Sequence, residues 1–171
     1  MRRGRRRLPQ PLADTLALPR GERVLAEATG PDGHTWCVGT EVALLVHDGA
    51  WRRLPWEEIE RAEWDAEAGV LTVVEVTEWG RPERPARLEL VDAAALLDLV
   101  RERVTKSVLL RQFHPVEGRR GLTVVARRSP TGRGGVAWSY VLAAGLDPDD
   151  PGVAEVASRA LAQGRRELDG L

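Results

Sequence analysis

From residue 22 to residue 91 the chain is a train of short apolar segments, most of them cut off by a turn signal before they are long enough to be helices. An amphipathic helix needs roughly 10–12 residues of 3.6-period pattern, whereas a strand needs only about 4–8. That limits the first half of the chain to an antiparallel β unit. The segments read ERVLAEAT (22–29), the turn GPDG, HTWCVGT (34–40) and EVALLVHD (41–48), in which Val42, Leu44 and Val46 share a face. Gly49 turns the chain into AWRRLPW (50–56), and VLTVVEVTEW (70–79) follows. A loop at Arg81, Pro82 and Pro85 leads to ARLELV (86–91), with Ala86, Leu88 and Leu90 on one face. This spacing predicts a small barrel or sandwich.

The pattern then changes period. Asp92 is placed to cap a helix, with Val91 as its hydrophobic staple, and Leu96, Leu97, Val100 and Val104 keep helical spacing. VTKSVLL (104–110) turns the pattern back to strand. GLTVVARRS (121–129) and GVAWSYVLA (135–143) form a predicted hairpin around PTGRG, with Val136, Trp138, Tyr140 and Leu142 on one face. Asp150 and Pro151 then open a last helix as cap and first residue, with Val153, Val156, Ala157, Ala160, Leu161, Gly164 and Leu168 as its apolar stripe. The expected class is α+β, mostly β: a disordered basic arm over 1–20 anchored by Leu12, Leu16 and Leu18, an antiparallel barrel plus helix over 21–105, and a β-β-β-α extension over 106–171 packed on the barrel.

LPWEEIERAEWDAEAG (54–69) resists this reading. A helix would gather Trp56, Ile59 and Ala62 but strand Trp64, while a strand gathers Trp56, Ala62 and Trp64 and sends Ile59 to the opposite face. The residues Thr40, Ala43–Leu45, Leu54–Trp56, Ile59, Trp64 and Gly69–Val73, followed by one amphipathic helix, resemble the pattern of bacterial PH-like and GRAM-like barrels, in particular those of actinobacterial proteins. The resemblance covers about residues 20–105. It implies a barrel with the helix plugging one open end, a strand or bent strand at 54–69, and Ile59 and Trp64 in the core. It implies no phosphoinositide site, because the first loops hold Asp32, His34 and Glu41 where such a pocket has a basic cluster.

Cys37 is the only cysteine, so no internal disulfide can form and a reducing cytoplasm fits. No apolar run reaches the ~18 residues of a membrane-spanning helix, and no apolar segment of a signal peptide follows the N-terminal arginines. The basic residues are almost all arginine, which matches the coding bias of a GC-rich bacterial genome. Charge is segregated along the chain. Residues 1–20 carry six Arg against one Asp, 21–105 nine Arg against eighteen acids, 106–146 seven basic residues against one acid, and 147–171 three Arg against six acids. Such blocks dock on each other or on partners of opposite charge.

Chemistry has few candidates. Glu57, Glu58, Glu60, Glu63, Asp65 and Glu67 lie in one local run, whereas a general acid–base or hard-metal site gathers carboxylates from several elements. They read as an acidic rim. His34, Cys37, His47 and His114 are the soft metal ligands, too few at a suitable spacing for a zinc site. TGRGG (131–135) joins strand to strand rather than strand to helix, so it is a hairpin tip and no phosphate loop. No catalytic residue, metal or cofactor is therefore assigned. Arg5, Arg6 and Arg7 in the arm, with Arg119, Arg120, Arg127, Arg128 and Arg133 on or near the hairpin, are candidate contacts for an anion or nucleic acid. Phe113, Trp138 and Tyr140 are expected to look inward. Trp51, Trp64 and Trp79 sit among charges near strand ends and are candidate anchors for a protein partner. The expected function is a non-enzymatic intracellular adaptor or binding module acting through protein contacts. The alternative is a nucleic-acid-associated protein, and a homodimer is possible on either reading.

Overall fold

The computed structural model describes residues 7–170. It is α+β, with ten strands in three antiparallel sheets and three α-helices among the described residues. A short helix α1 (Gln10–Thr15) precedes a four-stranded meander, β1 (Ala26–Thr29), β2 (Trp36–Gly39), β3 (Ala43–Asp48) and β4 (Ala50–Pro55). A 3-10 turn at Trp56–Glu58 leads into the second meander, β5 (Ile59–Asp65), β6 (Val70–Glu75) and β7 (Ala86–Glu89). Helix α2 (Ala94–Ser107) follows, then β8 (Val108–Glu117), β9 (Arg120–Arg127) and β10 (Ala137–Leu142) in the order β10-β9-β8, and α3 (Pro151–Asp169).

The first two sheets and α2 enclose one core. Cross-strand pairing puts Ala28, Cys37 and Val46 on the same face as Leu44 and Leu54, and these meet Ile59, Leu71, Val73 and Leu88 from the second sheet and Leu96 and Val100 from α2. Helix α2 lies so close to β2 that a Cβ on Gly39 would stand 2.5 Å from a Leu99 methyl carbon. The expected barrel does not close. The 3-10 turn replaces a β4–β5 hairpin, and the other side is joined by a single bridge, Thr29 to Val91. Pro55 and Trp56 explain the break: Pro55 withholds an N–H at the turn, and the Trp56 ring is fully buried with its Nε1 donating to the Thr40 carbonyl at 3.1 Å.

The same turn settles the 54–69 stretch. The β5–β6 register slips between Ile59 and Arg61, a bulge that lets Ile59 face the core together with Ala62 and Trp64. Trp64 shares the face of Leu71 and Leu88 but lies near the far end of β5. It is 36% exposed, which corrects the expectation of a core residue.

The outer face of the first sheet, with Val38, Ala43 and Leu45, is also apolar. It is covered by Leu16, Leu8 and Leu18, so residues 7–20 contain a helical turn and a buried anchor rather than a structureless arm. Leu12 is not part of that cluster. Asp92 does not cap α2: it takes a left-handed backbone (φ 53°), the capping position falls on Ala93, and the helix runs on through Ser107. Asp150 does cap α3, accepting from the Gly152 N–H at 2.7 Å, with Pro151 in the first turn.

Helix α3 lays Val153, Ala157 and Ala160 on Leu122 and Val124, with Trp138, Tyr140 and Leu142 around them. The β8–β9 register pairs Gln112 with Val124 and Phe113 with Thr123. Phe113 is therefore one residue out of step with the α3 face that holds Trp138 and Tyr140. It points the other way and is 57% exposed, correcting the inward expectation.

Candidate functional site

The bulge in β5 has two consequences for the surface. It sends the Glu60 carbonyl toward the third sheet, where it accepts from Arg127 Nη2 at 3.0 Å. It also leaves a groove between β5 and α2. The groove has a volume of about 270 Å³; its walls are Ala62, Trp64, Leu97, Val100 and Val104, with Arg101 at the edge. Its charged margin is uneven. Arg61 is spent on carboxylates, bonding Glu83 at 2.7 and 2.9 Å and Glu60 at 3.0 Å, and that bond holds the Glu83 carboxyl below the usual carboxylate range. Of the six carboxylates expected to form an acidic rim, Glu58, Glu63, Asp65 and Glu67 are exposed, whereas Glu57 and Glu60 are half-buried and Glu60 is paired with Arg61. Asp65 also accepts from the Glu67 and Ala68 N–H groups and so shapes the turn beside Trp64.

The other two candidate anchors are occupied within the chain. Trp51 packs on the cluster around Leu16, its Nε1 donating to Thr15 Oγ1 at 3.0 Å. Trp79 reaches the second core, donating to the Pro148 carbonyl at 3.1 Å and meeting Tyr140 edge-on at a centroid distance of 5.1 Å. Beside them lies a cleft of about 350 Å³, walled by Trp79, Gly80, Tyr140 and Leu142.

The basic candidates scatter. Arg5 and Arg6 lie outside the described residues, while Arg7, Arg119 and Arg133 are exposed. Arg120 is tied to Glu117 at 2.6 Å, and Arg128 is half-buried. Arg127 is corrected outright. It is 1% exposed, donates to Ser139 Oγ at 3.0 Å and to the Glu60 carbonyl, and no carboxylate of the described residues lies within 4.0 Å. Desolvation pulls its pKa down against the charge of Glu60. A guanidinium sealed at the meeting of the second and third sheets cannot reach a phosphate, so its role is structural.

No protein-family model, curated protein or solved structure matches the chain.

The soft-ligand candidates do not converge either. Among the described residues no three His, Cys, Asp or Glu side chains are placed to hold a metal ion. Cys37 is wholly buried in the first core, which pushes its thiol up to about 12 and removes it as a nucleophile near neutral pH. No helix among the described residues is long and apolar enough to cross a membrane. Sequence reasoning named Trp64 as an anchor but missed the groove beside it. The missed signal is that Leu97 and Val104 widen the apolar stripe of α2 beyond what the buried core covers.

Proposed function

We propose that this chain is an intracellular binding module of the PH-like kind, acting through protein contacts at the β5–α2 groove. The observation that carries the reading is Trp64, the one tryptophan whose ring stands open, set at an apolar groove whose charged margin is Arg61, Arg101 and the paired carboxylate of Glu60. Large aromatic side chains in partly formed pockets dominate binding energy at protein interfaces, and the flanking charges steer encounter. The two antiparallel meanders followed by α2 support the PH-like part of the proposal. The test is capture of partners from native lysate on the wild-type chain and on Trp64→Ala in parallel. At least one specific protein is expected to fall roughly tenfold or more on the variant. An identical protein profile on both chains would sink the proposal.

The nucleic-acid reading has less support once Arg127 is buried and Arg120 is paired. Arg119 and Arg133 are left as the open cations of the hairpin. DNA or RNA titrations are expected to show only weak, sequence-independent binding that fades as salt rises, with a log–log slope below about 3. A steep slope that Arg119→Ala and Arg133→Ala together reduce by about 2 would favour the nucleic-acid reading instead.

A further inference from the structure

The cleft of about 350 Å³ lies on the seam between the two halves of the chain, where the β6–β7 loop faces the segment between β10 and α3. Small-molecule sites favour such seams and start at about 300 Å³. The two aromatic walls come from opposite halves. Trp79 stands on the loop and Tyr140 on β10, with ring planes 80° apart and centroids 5.1 Å apart. Both residues are half-buried. The indole is tied through Nε1 to the Pro148 carbonyl, and both rings pack on the second core, so the pair is held in place before any ligand arrives. Rings near a right angle enclose an inside corner, and a group seated there meets a π face of each. Such faces are electron-rich and attract a cation within about 6 Å of the ring centroid.

The charges of the wall point the same way. Among the described residues Glu60, Glu78 and Glu83 line the cleft, against Arg81 as the one cation. Glu60 and Glu83 are already held by Arg61, at 3.0 and 2.7 Å. Glu78 meets Arg81 only at 4.0 Å, too far for a hydrogen bond, and its side chain is 88% exposed. It is the carboxylate left for an incoming positive charge. An anion would find Arg81 alone, opposed by Glu78. We infer that this cleft binds a small organic cation, an alkylated ammonium seated in the Trp79–Tyr140 corner with Glu78 on its open side. The ring faces supply no hydrogen-bond acceptor, so a primary ammonium would give up bonds to water that the corner does not replace. An alkylated ammonium has few N–H groups or none and gives up less, which is why aromatic corners suit it. Binding here needs nothing of the β5–α2 groove, so its failure would leave the protein-binding reading as it stands.

Titration of the full chain with choline, followed by the tryptophan indole N–H signals in two-dimensional NMR, tests this. Choline is expected to bind with a Kd of about 1 mM and to move the Trp79 signal, assigned as the one missing from Trp79→Phe. Its neutral isostere, in which a tert-butyl group replaces the trimethylammonium, should bind at least roughly tenfold more weakly, because it has the shape without the charge. Tyr140→Leu keeps an apolar side chain on the second core but removes one ring, and should weaken choline by roughly tenfold. Glu78→Gln, at an exposed position, should weaken it by about threefold and flatten its dependence on salt. No movement of the Trp79 signal at about 20 mM choline would overturn the inference. So would equal affinity for the neutral isostere, a comparison made on the wild-type chain that no unfolded variant can obscure. A folded Tyr140→Leu chain that binds choline as the wild type does would overturn it as well.

Discussion

Replacing Trp56 with alanine is expected to lower the unfolding free energy by about 4 kcal/mol, read from urea unfolding followed by far-ultraviolet circular dichroism. The ring is fully buried between the first two sheets and α2, so its removal leaves a cavity that Leu44, Leu54 and Leu96 cannot close without breaking their own packing. Its indole N–H also satisfies the Thr40 carbonyl. Trp56→Phe separates the two effects: it keeps much of the volume and strands that carbonyl, for an expected loss of about 2 kcal/mol. Equal losses for the two variants would show that the hydrogen bond carries the whole effect. A loss under about 1 kcal/mol for alanine would mean that the turn at residues 56–58 does not depend on the ring.

Arg127→Ala is expected to cost about 3 kcal/mol, from the space left by a long side chain and from the loss of partners for Ser139 Oγ and the Glu60 carbonyl. Two effects oppose each other at this site. Among the described residues the desolvated guanidinium has no carboxylate within bonding range and its Nε no partner, so part of its burial is uncompensated. Arg127→Met removes that charge while keeping most of the volume, and its cost should be at most about 1 kcal/mol. Measured melting curves decide the balance. A methionine variant as unstable as the alanine variant would show that the two hydrogen bonds outweigh the desolvation. A double-mutant cycle with Ser139→Ala isolates the pair, and a coupling near zero would remove Ser139 from the account.

The strands, the order of elements and the α3 cap were legible because they rest on local rules: alternation, turn residues, and an Asp–Pro helix start. What was not legible depends on partners far along the chain. Arg127 reads as a surface residue in any alternation scheme, and only the bulge carbonyl 67 residues away at Glu60 gives it a place inside. Phe113 was put on the wrong face because register is a property of the pair of strands, not of either one. Asp92 carries the right chemistry for a cap but sits one residue early, in a left-handed turn. Trp64 was legible as an interface candidate from its charged neighbours, whereas Trp51 and Trp79, in similar company, are taken up by Thr15 and Pro148. Nothing near those two in sequence announces it.

The contacts of Trp79 and Arg127 bear on how such a chain can change over generations. One runs from the β6–β7 loop to Pro148, the other from β9 back to β5, so each half supplies a group that the other half seals. A gene fragment ending at Ser107 would encode a complete first core yet leave the Glu60 carbonyl and the Trp79 indole without their partners. The two halves are thus poor candidates for separate shuffling into other proteins. Arg127 and Ser139, which bond side chain to side chain, would be expected to change together, whereas residues 60 and 148 offer backbone carbonyls that any side chain leaves in place.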